Sequence, residues 1–150
     1  MLTPEEVLAL LPQQAPFRFL DRLLSVDEHG ARGEVTFRGD EAFYQGHFPG
    51  NPVTPGVILL EAMCQTGLVA LGIYLLSREV PRSELADTLT LFTHADVEFE
   101  LPVFPGDTLR VEAEKLHFRR RVLRSRVTLR RGDAEVVASG TVSGMGVRRG

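Results

Sequence analysis

The residues best suited to chemistry lie mid-chain, where a loop rich in proline and glycine precedes a long apolar segment. His47 lies in the loop, and Glu61 and Gln65 lie in the apolar segment. Residues four apart share one face of a helix, so Gln65 can hydrogen-bond to Glu61 and orient it. A carboxyl group in apolar surroundings is stabilised in its neutral form, which suits a general acid.

His47 and the start of the predicted helix add two further functions. An imidazole titrates near neutral pH, so His47 suits a general base. Thr54 is the predicted N-cap, followed by Pro55 and Gly56 in the first turn. Backbone N–H groups there have no helical partner and lie at the positive end of the helix dipole, so the Gly56 N–H can stabilise an oxyanion.

Each of these residues also has a purely structural interpretation. A lone histidine in a loop is usually structural or exposed, and a lone glutamate in a core helix can simply be hydrogen-bonded there. Base, acid and oxyanion donor together make one reaction site, and this combination favours an enzyme.

Composition narrows the class of protein. The chain has 150 residues, 43% hydrophobic and 25% charged, which predicts one soluble domain over residues 1–150. The one cysteine, Cys64, cannot form an internal disulfide and fits a reducing compartment. The histidines show no metal-ligand spacing and no glycine-rich nucleotide motif is present, so we expect no metal or nucleotide cofactor. Without a signal-peptide pattern at the N-terminus, we expect a cytoplasmic protein.

The apolar segment from 57 to 76 is long enough, as a helix, to span about 30 Å. Glu61 and Gln65 share one face of that helix, and the upstream flank has no cationic anchor. We therefore expect a buried core helix and no membrane partner.

Charge is unevenly distributed along the chain. Residues 1–105 carry a net charge of −9 and residues 106–150 a net charge of +6. Seven arginines lie between Arg119 and Arg131. Such a cluster can bind an acidic partner, or it can be charge that protects strand edges from pairing. Few aromatic residues are interleaved with it, so nucleic-acid binding is not expected.

The pattern of elements predicts an α+β fold. A capped helix is predicted over 3–11, strands over 19–26 and 31–38, a loop over 39–54 and the long helix to about 76. A polar connection over 77–83 follows, and four strands are then predicted around 96–103, 109–114, 123–129 and 134–142. A curved antiparallel sheet can wrap the apolar helix on one side, and the remaining helix surface predicts dimerisation.

Three segments of the chain resemble a known family. They are Gly46-His47-Phe48-Pro49-Gly50, then Pro52-Val53-Thr54-Pro55-Gly56-Val57, then Glu61-Ala62-Met63-Cys64-Gln65. Together they resemble the (3R)-3-hydroxyacyl-acyl-carrier-protein dehydratases of the FabZ type. The segments 16–17, 20–22 and 102–107 extend the likeness, which covers about residues 10 to 140.

The resemblance implies a hotdog fold, in which a curved antiparallel sheet wraps one long helix. It also implies a homodimer, often assembled into a trimer of dimers, with His47 from one subunit and Glu61 from the other at each site. The implied reaction is dehydration of a (3R)-3-hydroxyacyl thioester on acyl carrier protein to the trans-2-enoyl thioester, without metal or redox cofactor.

The same resemblance assigns supporting residues. The Gly56 N–H would bind the thioester carbonyl, the backbone around Val53 would orient His47, and Gln65 would support the carboxylate. An apolar tunnel along the helix, lined by Leu60 and Met63, would hold the acyl tail.

The chain departs from the family pattern in two places, and the second bears on the expected partner. The family commonly has Met where this chain has Thr54, and basic residues in the strand that here reads Val97-Glu98-Phe99-Glu100-Leu101. Acyl carrier protein is acidic, so the arginine cluster could replace the usual docking surface. A specialised carrier or a coenzyme A substrate are the alternatives.

Two other functions stay open on the sequence alone. One is a hotdog acyl-thioester hydrolase, in which a carboxylate activates water against the thioester carbonyl. The other is a non-catalytic subunit of a heteromeric dehydratase.

Overall fold

The N-terminal third of the chain forms one short helix and a hairpin. In the computed structural model, which describes residues 1–150, helix α1 spans Pro4–Ala9. The predicted capping box is present, since the Thr3 hydroxyl accepts from the Glu6 N–H at 3.2 Å and the Glu6 carboxylate accepts from the Thr3 N–H at 3.0 Å. Strands β1 (Arg22–Val26) and β2 (Gly30–Thr36) pair antiparallel.

A central helix and four long strands make up the rest. They are helix α2 (Gly56–Ser77), helix α3 (Arg82–Ala86), and strands β3 (Thr88–Phe99), β4 (Thr108–Arg119), β5 (Val122–Arg131) and β6 (Glu135–Arg148). The six strands form one antiparallel sheet in the order β1-β2-β4-β5-β6-β3. The prediction of two strands before the helix and four after it is confirmed.

Several boundaries differ from the prediction for identifiable reasons. Strand β1 begins three residues late because the Phe19 N–H donates to the side chain of Gln65 at 2.7 Å instead of to a neighbouring strand. Strand β3 begins at Thr88 and ends at Phe99, before Pro102, which has no N–H group to donate. A short 3₁₀ helix, Ala42–Gln45, lies in the segment predicted as loop.

Helix α2 is covered by the concave face of the sheet. It is long and apolar enough to cross a membrane by length and composition, and 61% of its most apolar window is buried inside the protein. The residues Gln65–Ala70 in its middle form π-helical hydrogen bonds. All six are buried, whereas Val57 in the first turn is 74% exposed. The exposed part of the helix is therefore its N-terminal end.

Close contacts between helix and sheet fix where the helix residues point. A Cβ atom on Gly67 would lie 2.6 Å from Val127 Cγ1, so only glycine permits this approach. The Ser125 hydroxyl donates to the Gly67 carbonyl at 2.7 Å. On β2, a Cβ atom on Gly33 would lie 2.4 Å from Thr66 Oγ1. These contacts lock the rotation of the helix, and therefore the direction of Glu61 and Gln65, against the sheet.

A curved antiparallel sheet around one long helix is the hotdog arrangement that the resemblance implied, and the α+β prediction is confirmed. The outer edges of the sheet are β1 and β3. Strand β3 is exposed along most of its length and carries the exposed apolar side chains of Leu91, Phe92 and Phe99. Its free edge offers unpaired backbone groups to another strand.

Candidate active site

His47 lies in a loop that is held by its own backbone. The His47 N–H donates to the Phe43 carbonyl at 3.0 Å, and the Asn51 N–H donates to the Phe48 carbonyl at 2.8 Å. Phe48 and Gly50 adopt positive φ angles of 63° and 81°. The turn at Gly50 is one that glycine adopts without strain, which explains the glycine in this part of the loop.

The imidazole of His47 is oriented by Val53. Its Nδ1 atom lies 2.8 Å from the Val53 carbonyl oxygen. A carbonyl can only accept, so Nδ1 carries the hydrogen and Nε2 carries the free lone pair. His47 is half-buried. The arrangement leaves one ring nitrogen of His47 able to take a proton.

The predicted N-cap role of Thr54 is wrong. Pro55 occupies the N-cap position, and no side chain caps the helix. Thr54 is buried, its N–H donates to the Val103 carbonyl at 2.8 Å, and its hydroxyl is hydrogen-bonded to the Tyr44 hydroxyl. Burial raises the pKa of Tyr44, which keeps that hydroxyl protonated. Tyr44 was missed in the sequence because only the tertiary structure brings it against Thr54.

The N-terminus of helix α2 presents free backbone donors. The N–H groups of Gly56 and Val57 have no acceptor within the chain, and the first bonded N–H is that of Ile58, which donates to Pro55 at 3.0 Å. Gly56 is exposed and lies beside Phe99, whose ring would be 3.8 Å from a Cβ atom on Gly56. Two aligned donors at the positive end of a helix can bind a developing negative charge.

Gln65 holds Glu61 through a fully buried amide. Its Nε2 donates to Glu61 Oε2 at 2.9 Å and to the Phe17 carbonyl at 2.9 Å, and its Oε1 accepts from the Phe19 N–H at 2.7 Å. The reverse orientation of the amide would set its oxygen against two acceptors, so the network assigns the amide. Glu61 Oε2 is therefore an acceptor, and the proton of the neutral acid lies on Oε1.

Burial shifts the pKa of both titratable groups on this part of the helix. Desolvation raises the pKa of Glu61, and the hydrogen bond from Gln65 lowers it in part. Burial, with the nearby Glu61 carboxylate, raises the pKa of the Cys64 thiol to about 12. Cys64 is thus an inert thiol, whereas Glu61 holds its proton more tightly than an exposed carboxyl does.

An aromatic groove of about 680 Å³ opens next to the first turns of helix α2. Phe17, Phe19 and Phe43 line it together with Ile58, which lies one turn before Glu61 on the same helix. Met63, predicted to line a tunnel, is instead fully buried in the core, and Leu60 does not line the groove. Met63 faces the sheet because the helix rotation is fixed by the contacts at Gly67.

Within one chain, the two predicted catalytic residues are not bonded to each other. His47 and Glu61 share no hydrogen bond or ion pair. We refer to His47 with its hydrogen-bond partners and to Glu61 with its partners as the two half-sites. The chain has no group of three or more His, Cys, Asp or Glu side chains placed to hold a metal ion.

The arginine cluster divides into paired and unpaired members. Arg121 pairs with Glu84 at 2.8 Å, Arg130 with Glu112 at 2.7 Å, and Arg131 with both Asp107 at 2.9 Å and Glu135 at 3.0 Å. The other four are exposed and have no ion-pair partner; they are Arg119, Arg120, Arg124 and Arg126. Arg120 and Arg121 form the β4–β5 turn with φ angles of 54° and 64°.

The fold is that of a hotdog protein. The family model described as the FabA-like domain matches residues 11–142, and the chain belongs to this family. The likeness to FabZ-type dehydratases that the sequence motifs indicated is thereby confirmed.

Relatives of this chain within the family are named FabZ dehydratases. The chain is 43% identical over 123 residues to the 3-hydroxyacyl-[acyl-carrier-protein] dehydratase FabZ of Chloroflexus aggregans, covering 80% of this chain and 79% of that protein. It is 40% identical over 145 residues to the protein of that name from Acetivibrio thermocellus, covering 95% and 92%.

A solved structure shares the fold at low identity. A chain of the dehydratase heterocomplex ApeI:P from Xenorhabdus doucetiae superimposes with a TM-score of 0.75 at 16% identity, covering 99% of this chain and 93% of that one. This likeness concerns the fold.

The raised pKa of Glu61 predicts a pH-dependent stability difference. Because the folded protein keeps a proton that the unfolded chain releases near pH 4.5, the stability of the wild type falls as pH rises from there through the raised pKa. Relative to Glu61→Gln, which does not titrate, the wild type should lose free energy of unfolding over that range. Denaturant unfolding at a series of pH values and one protein concentration measures this difference.

The control is Glu79→Gln, which replaces an exposed carboxyl just after the end of helix α2. The Glu79 side chain makes no hydrogen bond. Its difference from the wild type should not follow the same trend. A constant difference for Glu61→Gln across the range would contradict the assignment of a raised pKa.

Proposed function

We propose that this protein dehydrates (3R)-3-hydroxyacyl thioesters of acyl carrier protein to trans-2-enoyl thioesters in fatty-acid biosynthesis, as a cytoplasmic homodimer. The observation that carries the proposal is the hydrogen bonding of the two half-sites, which suits one group to accept a proton and the other to donate one. Val53 takes the Nδ1 hydrogen of His47 and leaves Nε2 free, while Gln65 occupies Glu61 Oε2 and leaves Oε1 free, and burial raises the pKa of Glu61. Elimination of water needs one base and one acid.

A homodimer would unite the half-sites. The free edge of β3 can pair with a second copy about a two-fold axis, which extends the six-stranded sheet to twelve strands. Such pairing also covers the exposed Leu91, Phe92 and Phe99. Phe99 lies beside Gly56, so the interface would adjoin the start of helix α2. In the proposal, each site takes His47 from one copy and Glu61 from the other.

The proposed reaction moves two protons. His47 Nε2 takes the proton from C2 of the substrate, and the electron pair of that C–H bond forms the C2=C3 double bond. The C3–O bond breaks, and the leaving hydroxyl takes the proton of Glu61 Oε1 and departs as water. Transfer of the proton from His47 back to Glu61, through solvent, completes the cycle. Gln65 keeps Oε1 as the donor atom by bonding to Oε2.

The remaining parts of the site stabilise and hold the substrate. The N–H of Gly56, at the positive end of helix α2, donates to the thioester carbonyl oxygen and stabilises the enolate charge that forms when C2 loses its proton. The aromatic groove beside Ile58 accepts the acyl chain, since its phenylalanine rings offer apolar surface and it opens one helical turn from Glu61.

A hydrolase needs a carboxylate free to activate water, whereas Glu61 Oε2 is occupied by the Gln65 amide and burial shifts the pKa of Glu61 upward, towards the acid form. This arrangement supports dehydration over thioester hydrolysis. A non-catalytic subunit would not need either half-site, yet both hydrogen-bond networks are complete.

The proposal predicts that both acid–base residues are needed for turnover. Hydration of a trans-2-enoyl thioester, followed as loss of the conjugated absorbance, should fall by at least about 10²-fold in His47→Ala and in Glu61→Gln. The exposed His29 serves as a control, and His29→Ala should keep wild-type activity. Dehydration should slow as pH rises through the raised pKa of Glu61, because the acid form is consumed.

Mixing the two inactive variants tests the shared site. When His47→Ala and Glu61→Gln chains are dissociated and re-associated, half of the dimers are mixed and each mixed dimer has one intact site, so about a quarter of wild-type activity should return. Recovery of none would contradict a site built from two chains. Release of free thiol by the wild type would instead indicate a hydrolase. If a folded dimer is inactive on every thioester, the result would indicate an accessory subunit.

If the Gly56 N–H binds the oxyanion, removing this single donor should slow turnover without unfolding the protein. Gly56→Pro removes the N–H at a position where proline suits a helix, and Pro55 already has the extended conformation that precedes a proline. We expect kcat to fall by about 10²- to 10³-fold with the thermal midpoint nearly unchanged. The control Gly56→Ala keeps the N–H, meets Phe99 only at ordinary contact distance, and should keep most activity. Equal activity of the two variants would contradict the assignment.

The two ends of the sheet carry opposite charge, and this difference indicates where an acidic carrier would dock. The basic end comprises Lys115, Arg119, Arg120 and Arg124, all at the β4–β5 hairpin and without ion-pair partners. By contrast, the strand end near Gly56 carries Glu98 and Glu100. This distribution is the reverse of what an acidic carrier would need if it docked beside the helix start of the same chain.

The proposed dimer resolves this conflict. In an antiparallel pair of β3 strands, the Thr88 end of one strand lies near the Phe99 end of the other. Strands β6 and β5 follow β3 in the sheet, so the basic end lies about 10–15 Å from the other copy's site, at about 4.8 Å per strand. We therefore propose that the carrier docks on the basic end of one copy and delivers its acyl chain to the site of the neighbouring one.

Charge reversal at the basic end predicts a loss that is specific to the carrier. Arg119→Glu with Arg124→Glu should lower kcat/KM for an acyl-carrier-protein thioester by about tenfold or more at low salt, because steering and docking are electrostatic. The kcat/KM for an N-acetylcysteamine thioester, which has no protein carrier, should not change.

The matched control is Arg22→Glu with Arg32→Glu, which changes the net charge equally at β1 and β2. It should leave both substrates nearly unaffected. Equal losses with both substrates, or equal losses in the control, would contradict docking at the basic end.

A further inference from the structure

The loop that carries His47 is closed by one contact between two buried side chains. The hydroxyls of Tyr44 and Thr54, ten residues apart in the chain, are hydrogen-bonded to each other. Tyr44 is 6% exposed and Thr54 is 3% exposed, so water does not compete for this bond. Each hydroxyl is the other's side-chain partner.

Thr54 holds the peptide that orients the imidazole. The Thr54 N–H donates to Val103 at 2.8 Å, and the carbonyl of the same peptide unit, that of Val53, accepts from His47 Nδ1 at 2.8 Å. A peptide unit is planar, so its C=O and N–H groups rotate together. Fixing Thr54 therefore fixes the direction of the carbonyl that the imidazole needs.

Tyr44 holds the other end of the loop. It belongs to the 3₁₀ helix whose Phe43 carbonyl accepts from the N–H groups of Gly46 and His47, at 3.3 and 3.0 Å. The rings of Tyr44 and Phe43 pack with their centroids 4.6 Å apart. A shift of Tyr44 would move the backbone acceptor of His47.

The loop between these two residues has little other support. A Cβ atom added at Gly46 or at Gly50 would meet no atom within 4 Å, and Phe48 is 58% exposed. Apart from the bonds of Gly46 and His47 to Phe43, the Asn51 to Phe48 turn and the bond from His47 Nδ1 to Val53, no hydrogen bond restrains residues 46–53. The contact between Tyr44 and Thr54 is thus the side-chain closure of an otherwise open loop.

We propose that Tyr44 and Thr54 are positioning residues, whose hydroxyl pair holds His47 in the orientation that proton transfer from C2 requires. The effect on turnover rests on the function proposed above, but the effect on the imidazole does not. Small displacements of a base lower the rate of the chemical step more than they change binding.

Three variants separate positioning from folding. Thr54→Val should lower kcat about tenfold and leave KM within about twofold of the wild type. Thr54→Ser, which keeps the hydroxyl, should have a kcat near that of the wild type. Thr54→Val also leaves the Tyr44 hydroxyl buried without a partner, which lowers the thermal midpoint. In the double variant Thr54→Val with Tyr44→Phe, the orphan hydroxyl is gone, so the midpoint should recover while kcat stays low.

The nitrogen NMR signals of His47 give a readout that needs no activity. The wild type should show a protected Nδ1–H, and Thr54→Val and the double variant should lose that protection while Thr54→Ser keeps it. Recovery of kcat together with the midpoint in the double variant, or an unchanged Nδ1–H in Thr54→Val, would overturn the proposal. If the NMR result holds and the wild type shows no hydratase activity, the proposed function fails and the positioning of His47 stands.

Discussion

The site depends on one constraint, which is that a carboxyl group on a buried apolar helix must be hydrogen-bonded and is stabilised without its charge. Gln65 meets the first requirement and the protein interior supplies the second. The same amide also satisfies the backbone of Phe17 and Phe19, so the segment leading into β1 and the acid on helix α2 are held by one side chain. Loss of that amide would leave three polar groups unpartnered, and the aromatic groove beside Glu61 depends on the same segment.

The two halves of the site are positioned by opposite means. Glu61 is placed by a rigid helix whose rotation is locked where Gly67 touches Val127 on the sheet. His47 is placed by a short loop that relies on backbone hydrogen bonds, on the Val53 carbonyl and on the closing contact beneath it. In the proposed reaction, the proton donor therefore comes from the core and the proton acceptor from the surface. The proposed site between two copies would let each group keep its own hydrogen-bonding surroundings.

The charge pattern of the arginine cluster fits the proposed pairing of two copies. Three of its four unpaired arginines, Arg119, Arg120 and Arg124, lie at the β4–β5 hairpin, at the end of the sheet remote from the start of helix α2. Those nearer the other end, Arg130 and Arg131, are neutralised by Glu112, Asp107 and Glu135. Most of the unpaired charge of the arginine cluster thereby lies at one end, and in the proposed dimer the pairing of β3 edges would carry it to the neighbouring copy's site.

The sequence by itself determined the chemistry and the order of elements. The i, i+4 spacing of Glu61 and Gln65 requires only helical periodicity, and the loop with His47 and the first helical turn at Gly56 follow from the local preferences of proline and glycine. Alternation of apolar residues was enough to count six strands, since it reflects burial of one face. Local signals of this kind depend on neighbours in the chain and can be read from it.

Only the tertiary structure decided which distant groups meet. Thr54 looks like an N-cap in sequence, but the adjacent Pro55 takes that position and Thr54 turns into the core against Tyr44. Met63 has the right spacing to line a tunnel, but the rotation of helix α2 against the sheet buries it. The ion pairs that divide the arginine cluster join residues up to 37 positions apart, as in Arg121 with Glu84. Such contacts are set by how the elements pack, and no local pattern in the chain encodes them.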